Sequence, residues 1–309
     1  MKSRGDCRRI LWGRTCVPGG GTIDLMALRY GDGRPRQVVI AGLHGDEPTP
    51  IYILAEFVRE HAAAIGGTLD IVPAVNWMGL LLGRRRFPFG GVDLNRSLVD
   101  GMPNAYARQT MDDLVSFCEG ADLVADLHSW DSPTVLMGIS HALEDAHAAA
   151  SINALTRLGC EFIWRPQDLA AVKGTLGDAL AHLGVPYCAA EFSPAWLVDP
   201  PWIADAAARL ADMLSGVEAG PPPLIGGREP VVATEAGLFF PVLEPGSRVE
   251  LGQTCGAVLD SRTLRCVGEV ISPTRGMVVQ LETRRAVFPG QTVAFIGTPI
   301  RGAQMERPA

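Results

Sequence analysis

Gln37-Val-Val-Ile-Ala-Gly-Leu-His44-Gly-Asp-Glu47 is the stretch on which the reading of this chain turns. A β-branched run that ends in glycine reads as a buried strand, because branched side chains suit a pleated surface. Helix-like spacing follows over residues 49–61, with Ile51, Leu54, Ala55 and Val58 falling on one face. The alternation continues for two thirds of the chain. Further strand-like runs lie at 69–75, 121–127, 133–137 and 186–190, and helical stretches at 109–118, 142–158, 176–183 and 203–214. Strands separated by helices of this length predict an α/β fold: a mixed, mostly parallel sheet flanked by helices.

The texture changes at Ala219-Gly-Pro-Pro-Pro-Leu-Ile-Gly-Gly227, which reads as a linker. Short β-rich runs follow, with no convincing helix. Gly252-Gln-Thr254 recurs as Gly290-Gln-Thr292, a weak internal echo that fits a small two-halved β-barrel or sandwich. Two domains are expected, at 1–222 and 223–309. No lysine follows Lys173, so the β-region is not a carrier of lipoyl or biotin on a turn lysine.

Composition narrows the class. The 309 residues are 47% hydrophobic and 20% charged, with a net charge of -7, as in soluble globular proteins. An acidic balance argues against nucleic acid as a partner. The richest apolar stretch, 69–83, is interrupted by Pro73, Asn76 and Gly79, so no membrane span is read. Residues 1–14 are basic without an apolar core, so no secretory signal is read and the expected location is the cytoplasm. The seven cysteines are scattered and free of any CxxC, which reads as free thiols in a reducing compartment.

Four segments carry residues able to do chemistry. His44 and Glu47 follow the first strand, and ligands of open α/β sheets bind beyond the carboxyl ends of strands. An imidazole and a carboxylate suit zinc; taken alone, the pair also fits an ordinary polar loop. His128 ends the apolar run Ala121–Leu127 and stands as a third ligand or a buried structural histidine; Asp126, two residues before it, either orients the imidazole or caps a neighbouring helix. Glu191 closes another apolar strand, where an unpaired carboxylate is costly, and reads as a general base or a salt-bridged edge residue. Arg84-Arg-Arg-Phe-Pro-Phe-Gly-Gly-Val-Asp93-Leu-Asn95-Arg96 is a loop able to grip a carboxylate, or simply a solvated basic loop.

In this order the motifs resemble the aspartoacylase/succinylglutamate desuccinylase family, a branch of the zinc carboxypeptidase-like enzymes. The resemblance rests on Gly42-Leu-His-Gly-Asp-Glu47, Asp93-Leu-Asn-Arg96, Asp126-Leu-His128 and Glu191, and extends through Gly237-Leu-Phe-Phe-Pro and Ser272-Pro-Thr-Arg-Gly-Met-Val. It implies one Zn2+ per chain on His44, Glu47 and His128, with Glu191 as general base and acid. It also implies Asn95 and Arg96 on a substrate carboxylate, and an arginine before the Asp-Leu-Asn-Arg motif polarising the acyl carbonyl. Spacing favours Arg85 among the three in a row, with Arg86 next. Asp46 and Ser193-Pro194 depart from the family pattern without removing a ligand.

The implied activity is zinc-dependent amidohydrolysis (deacylation) of a small N-acyl amino acid, with Glu191 assisting attack by a zinc-activated water. Two rival readings are a metallocarboxypeptidase and a non-catalytic binding protein with a degenerate site. The expected partner is the small substrate, with no nucleic acid or membrane; oligomeric state is left open. Lys173 and Arg165 are candidates for the outer part of a substrate, and His61, His141, His147 and His182 read as helix-surface residues. The β-region is expected to narrow the entrance to the metal cleft.

Overall fold

The computed structural model describes residues 7–17, 19–140, 145–166, 168–193, 198–217, 221–282 and 286–299. The first part runs β1 (Arg8–Val17), β2 (Gly21–Tyr30), β3 (Arg36–Ala41), α1 (Thr49–Glu60), β4 (Thr68–Val72), α2 (Trp77–Leu81) and α3 (Ala105–Cys118). It continues through β5 (Leu123–Ser129), β6 (Met137–Ile139), α4 (Asp145–Leu158), β7 (Phe162–Trp164), α5 (Leu176–His182), β8 (Tyr187–Phe192) and α6 (Pro200–Ser215). The second part contains β9 (Leu224–Val232), β10 (Gly237–Pro241), β11 (Arg248–Val249), β12 (Thr254–Leu259), β13 (Cys266–Ile271), β14 (Gly276–Leu281), β15 (Ala286–Val287) and β16 (Thr292–Pro299).

Twelve strands form one sheet, in the order β1-β2-β4-β3-β5-β8-β6-β7-β9-β16-β14-β11. Its heart, β4-β3-β5-β8, is parallel, and β6 runs antiparallel to β8. Because side chains alternate along a strand, each face receives its own layer. Ala125, Leu127, Ala190 and Phe192 pack with Phe57, Leu155 and Leu210 of α1, α4 and α6. Val124 and Ala189 pack on the other face with Met111, Leu114 and Leu180 of α3 and α5. Asp126 and His128, in step with Val124, lie on that second face. Every residue of β5 and β8 is buried.

Helix starts follow capping chemistry more closely than apolar periodicity. Asn104 accepts from Ala107 N, Thr175 from Asp178 N and Asp199 from Trp202 N, which satisfies otherwise orphaned amides. So α3 and α6 begin three or more residues before their apolar patterns. The 133–137 run is corrected: the paired strand is β6, while Thr134 makes an isolated bridge to Gln280 and Val135 N donates to Val279 O. Residues 141–144, including His141 and the expected start of α4, lie outside the described residues, as do Pro194, Trp196 and 219–220 of the linker.

No helix is present among the described residues beyond 220. There β9, β16, β14 and β11 extend the large sheet, while β13-β12-β10-β15 form a second sheet over Val231, Val258, Val270, Val278 and Ile296. The Gly-Gln-Thr echo is the same turn twice. Gln253 Oε1 accepts from Glu250 N at 3.0 Å and Gln291 Oε1 from Phe288 N at 3.3 Å, each next to a glycine with φ near 80° (Gly252 80°, Gly290 83°). Among the described residues, no helix is long and apolar enough to cross a membrane.

Candidate active site

The strand ends deliver the candidate residues to one place. His44 and Glu47 sit in the turn between β3 and α1, His128 near the end of β5, and Glu191 near the end of β8. His128 pairs directly with Glu191 across the parallel β5–β8 ladder, so both side chains leave the same face on neighbouring strands. Gly45 is needed for close approach: a Cβ there would lie 2.1 Å from Gly79 C and 2.4 Å from Arg84 O. Without that methyl, Gly45 N donates to Arg85 O at 3.3 Å, and the loop bearing Arg85 packs against the turn bearing His44.

Glu47 is the hub. His44 Nδ1 lies 2.7 Å from its Oε1, and His128 Nδ1 lies 2.9 Å from its Oε2. Ser129 N donates to Oε2 at 3.1 Å, and Arg85 Nη1 to Oε1 at 3.0 Å. The two imidazole centroids are 4.9 Å apart. Behind the hub, His128 Nε2 is 3.0 Å from Asp126 Oδ2, which also accepts from the Tyr187 hydroxyl at 2.9 Å. His44 Nε2 is 3.3 Å from Asp93 Oδ1, and Arg85 Nε is 3.4 Å from Asp93 Oδ2.

Acidities follow from this geometry. Burial alone would raise the Glu47 carboxyl, but the charges of His128 and His44 hold it well below the usual range. Burial opposes charging of both imidazoles, yet Asp126 and Glu47 raise His128, and Glu47 and Asp93 raise His44. Burial would also raise Asp93; its contact with His44 and the charges of Arg85 and Arg96 bring it down. Glu191 moves the other way, pushed up to about 7, first by burial and further by the Glu47 charge, against the pull of His128. Its Oε2 is buried with no protein partner.

This donor set fits a divalent cation. Ligand atoms of His44, Glu47 and His128 all lie within 4.8 Å of one another. Two imidazole nitrogens and a carboxylate converge, and with the imidazole pKa values raised and the carboxylate's lowered the point favours positive charge. Two histidines and a glutamate, each imidazole backed by an outer carboxylate, match the chemistry of catalytic zinc sites.

The other expected residues are placed as follows. Of the three arginines, Arg85 reaches the hub, whereas Arg86 Nη1 donates to Gly91 O, outside the cluster. Asn95 Oδ1 accepts from Leu176 N at 2.9 Å, at the start of α5. Arg96 is exposed and acts on Asp93 through its charge. Lys173 is exposed just past a 3-10 turn. Ser193 Oγ accepts from Thr134 N at 3.2 Å, and Asp46 is exposed beside the cluster. Sequence reasoning gave Asp93 no role of its own. The signal for one was its place two residues before Asn95, where its Oδ1 also accepts from Asn95 N.

The sheet, with its helices on both faces and its histidine–carboxylate cluster at the strand ends, places the chain among the mixed α/β proteins of zinc carboxypeptidase-like fold. More narrowly, it belongs to the Succinylglutamate desuccinylase/Aspartoacylase family, whose catalytic-domain model matches residues 34–217. It is 31% identical over 140 residues to an N-alpha-acetyl-L-2,4-diaminobutyric acid deacetylase of Halomonas elongata, a match spanning 44% of this chain and 39% of that protein. A succinylglutamate desuccinylase/aspartoacylase structure from Rhodobacter sphaeroides superposes with a TM-score of 0.79 at 20% identity, covering 97% of each chain. The product-bound ectoine utilization protein EutE (DoeB) of Ruegeria pomeroyi does so with a TM-score of 0.78 at 22% identity over 92% of each. At these identities the structural likeness is one of fold.

Proposed function

We propose that this chain is a zinc-dependent amidohydrolase that removes the acyl group from a small N-acyl amino acid or a related carboxylate-bearing amide. The observation that carries the reading is Glu191: a buried carboxylate with one unpartnered oxygen, beside a His44–Glu47–His128 ligand set. His44 and His128 would hold the ion through Nδ1, and Glu47 through its carboxylate. When bound, zinc supplies a Lewis acid for the amide carbonyl and makes water more acidic.

Glu191, at about 7, is matched to both halves of the proton transfer. It takes a proton from the attacking water as the C–O bond forms. It returns that proton to the amine nitrogen as the C–N bond breaks, so the products are a carboxylate and an amine. Arg85 offers charged N–H donors to the oxygen on which negative charge develops. The Asn95 amide and Arg96 guanidinium hold the substrate carboxylate and fix the amide's register. Asp126 and Asp93 orient the two imidazoles. The deacetylase relative supports an acylated amino acid as substrate class.

Metal analysis of the purified chain, combined with a screen of N-acetyl, N-succinyl and N-formyl amino acids, tests the reading. The expected result is one zinc per chain and release of the free amine from at least one series. Absence of both zinc and amide cleavage overturns it.

A further inference from the structure

No hydrogen bond or ion pair among the described residues holds the Glu191 carboxylate, and its Oε2 is buried. A side chain without bonds of its own is placed only as well as the backbone beneath it. That backbone is β8, and its support is uneven. On one side β5 runs alongside it past Glu191, pairing His128 with Glu191 and Ser129 with Phe192, and Trp130 N donates to Phe192 O at 2.8 Å. On the other side β6 pairs with β8 only through Met137, Gly138 and Ile139, so the ladder stops at Glu191 itself. Continuing that register would set Val135 against Ser193, but Val135 N donates instead to Val279 O of β14, at 3.0 Å.

Ser193 closes the gap with its side chain. Its Oγ accepts from Thr134 N at 3.2 Å and donates to Ser132 O at 3.3 Å, so one hydroxyl fills both roles. The segment it grips is anchored from behind by the β-module. Thr134 Oγ1 donates to Val279 O at 2.8 Å, Leu281 N to Pro133 O at 3.0 Å and Ser132 Oγ to Glu282 Oε1 at 3.3 Å. The same segment leads directly out of His128. Ser193 therefore completes a closed path: from His128 along 129–132, across the hydroxyl to Ser193, and back along β8 to Glu191. The two groups are tied once by the ladder and a second time by Ser193. It is also one of the positions at which the chain departs from the pattern of the family it resembles.

We infer that Ser193 is a positioning residue for Glu191. Its hydroxyl holds the open end of β8 against the 132–134 segment, and so sets where the Glu191 carboxylate stands relative to His128 and the other ligands. The inference rests on the amidohydrolase reading for what this placement serves, but not for the placement itself. A displacement on the order of 1 Å at such a group costs about 100-fold in rate.

Variants of the full chain test it. Ser193→Thr and Ser193→Val share a shape and differ in the hydroxyl; a residue before proline takes extended backbone, which suits both branched side chains. On an N-acyl amino acid that wild type cleaves, Ser193→Val and Ser193→Ala are expected to lower kcat about 10- to 100-fold with KM within about threefold, while Ser193→Thr stays within about threefold of wild type in both. In a Glu191→Gln background Ser193→Ala costs less than about twofold more, because no carboxylate is left for it to place. A merely structural role costs the same in both backgrounds. Equal losses in the two backgrounds, a Ser193→Ala kcat close to that of wild type, or a Val variant as active as the Thr variant would each overturn the inference. Amide exchange of the metal-free chain reads the placement apart from turnover: Ser193→Ala and Ser193→Val speed exchange at Thr134 and across 191–193 about 5- to 10-fold, and Ser193→Thr does not. Unchanged exchange overturns the placement whatever the rates. If exchange responds in this way and no amide is cleaved, the placement stands and the amidohydrolase reading falls.

Discussion

Glu47, in the turn after β3, and Glu191, near the end of β8, lie on one face of the same sheet and are equally exposed, at 7% each. Their carboxyls nonetheless move in opposite directions, Glu47 down and Glu191 up to about 7. Burial cannot separate them, so contact does. Both oxygens of Glu47 meet imidazole nitrogens, and Arg85 and Ser129 add donors; Glu191 Oε2 meets no protein donor. One glutamate is thereby fixed as an anion that holds positive charge. The other is left with one buried oxygen unpartnered and a raised pKa. Two environments, at strand ends separated by β5, set identical side chains apart.

The comparison can be broken most severely at Glu47. Glu47→Ala leaves two imidazoles facing each other with no anion between them. We expect loss of bound zinc, activity down by at least about 1000-fold, and destabilisation of about 3–5 kcal/mol. Zinc content and urea unfolding check this; a variant that keeps one zinc per chain removes Glu47 from the ligand set.

At Glu191 the expected losses are catalytic only. Glu191→Gln keeps zinc and loses about 100- to 10,000-fold in kcat. Its stability should change in the opposite sense from that of the Glu47 variant. Because the native carboxyl is raised from 4.5 to about 7, the folded state holds a proton that the unfolded state has released over that window, so stability falls as pH rises through it. Removing the carboxyl should stabilise the metal-free protein by about 1–3 kcal/mol at pH 8 and by nothing at pH 4. Urea midpoints at the two pH values decide; a variant less stable than wild type at pH 8 means that Glu191 is paired rather than stranded.

Asp126 sharpens the same contrast at a smaller scale. Asp126→Asn weakens the carboxylate behind His128 and should cost about 10- to 100-fold in zinc affinity, with kcat nearly restored at saturating zinc. Competition with a chelator measures the affinity, and unchanged affinity would leave Asp126 a purely structural partner of Tyr187.

Much of this was legible in the residues because function and strand ends coincide. His44, His128 and Glu191 each sit just past or at the end of an apolar β-run, where an uncharged residue would be expected, and each proved to lie at the carboxyl end of a strand of the parallel heart. Arg85 stood out only through the family resemblance, within which spacing to Asn95 favoured it over Arg86. What escaped has physical causes. The β1–β2 hairpin is largely exposed, so its apolar alternation is weak. The three-residue strands β6 and β7 are too short to show a period. The joining of β9, β16, β14 and β11 to the large sheet rests on backbone pairing across long separations, which side-chain pattern does not encode.

The crossing at Gly45 has a mechanical consequence. The turn bearing two ligands and the loop bearing Arg85 touch through bare backbone, with no side chain between them to act as a spacer. The position of residues 79–85 and that of the turn bearing His44 and Glu47 are thereby fixed against each other, backbone on backbone. A side chain introduced at Gly45 therefore has nowhere to go but into the loop's own backbone, and would part the two segments.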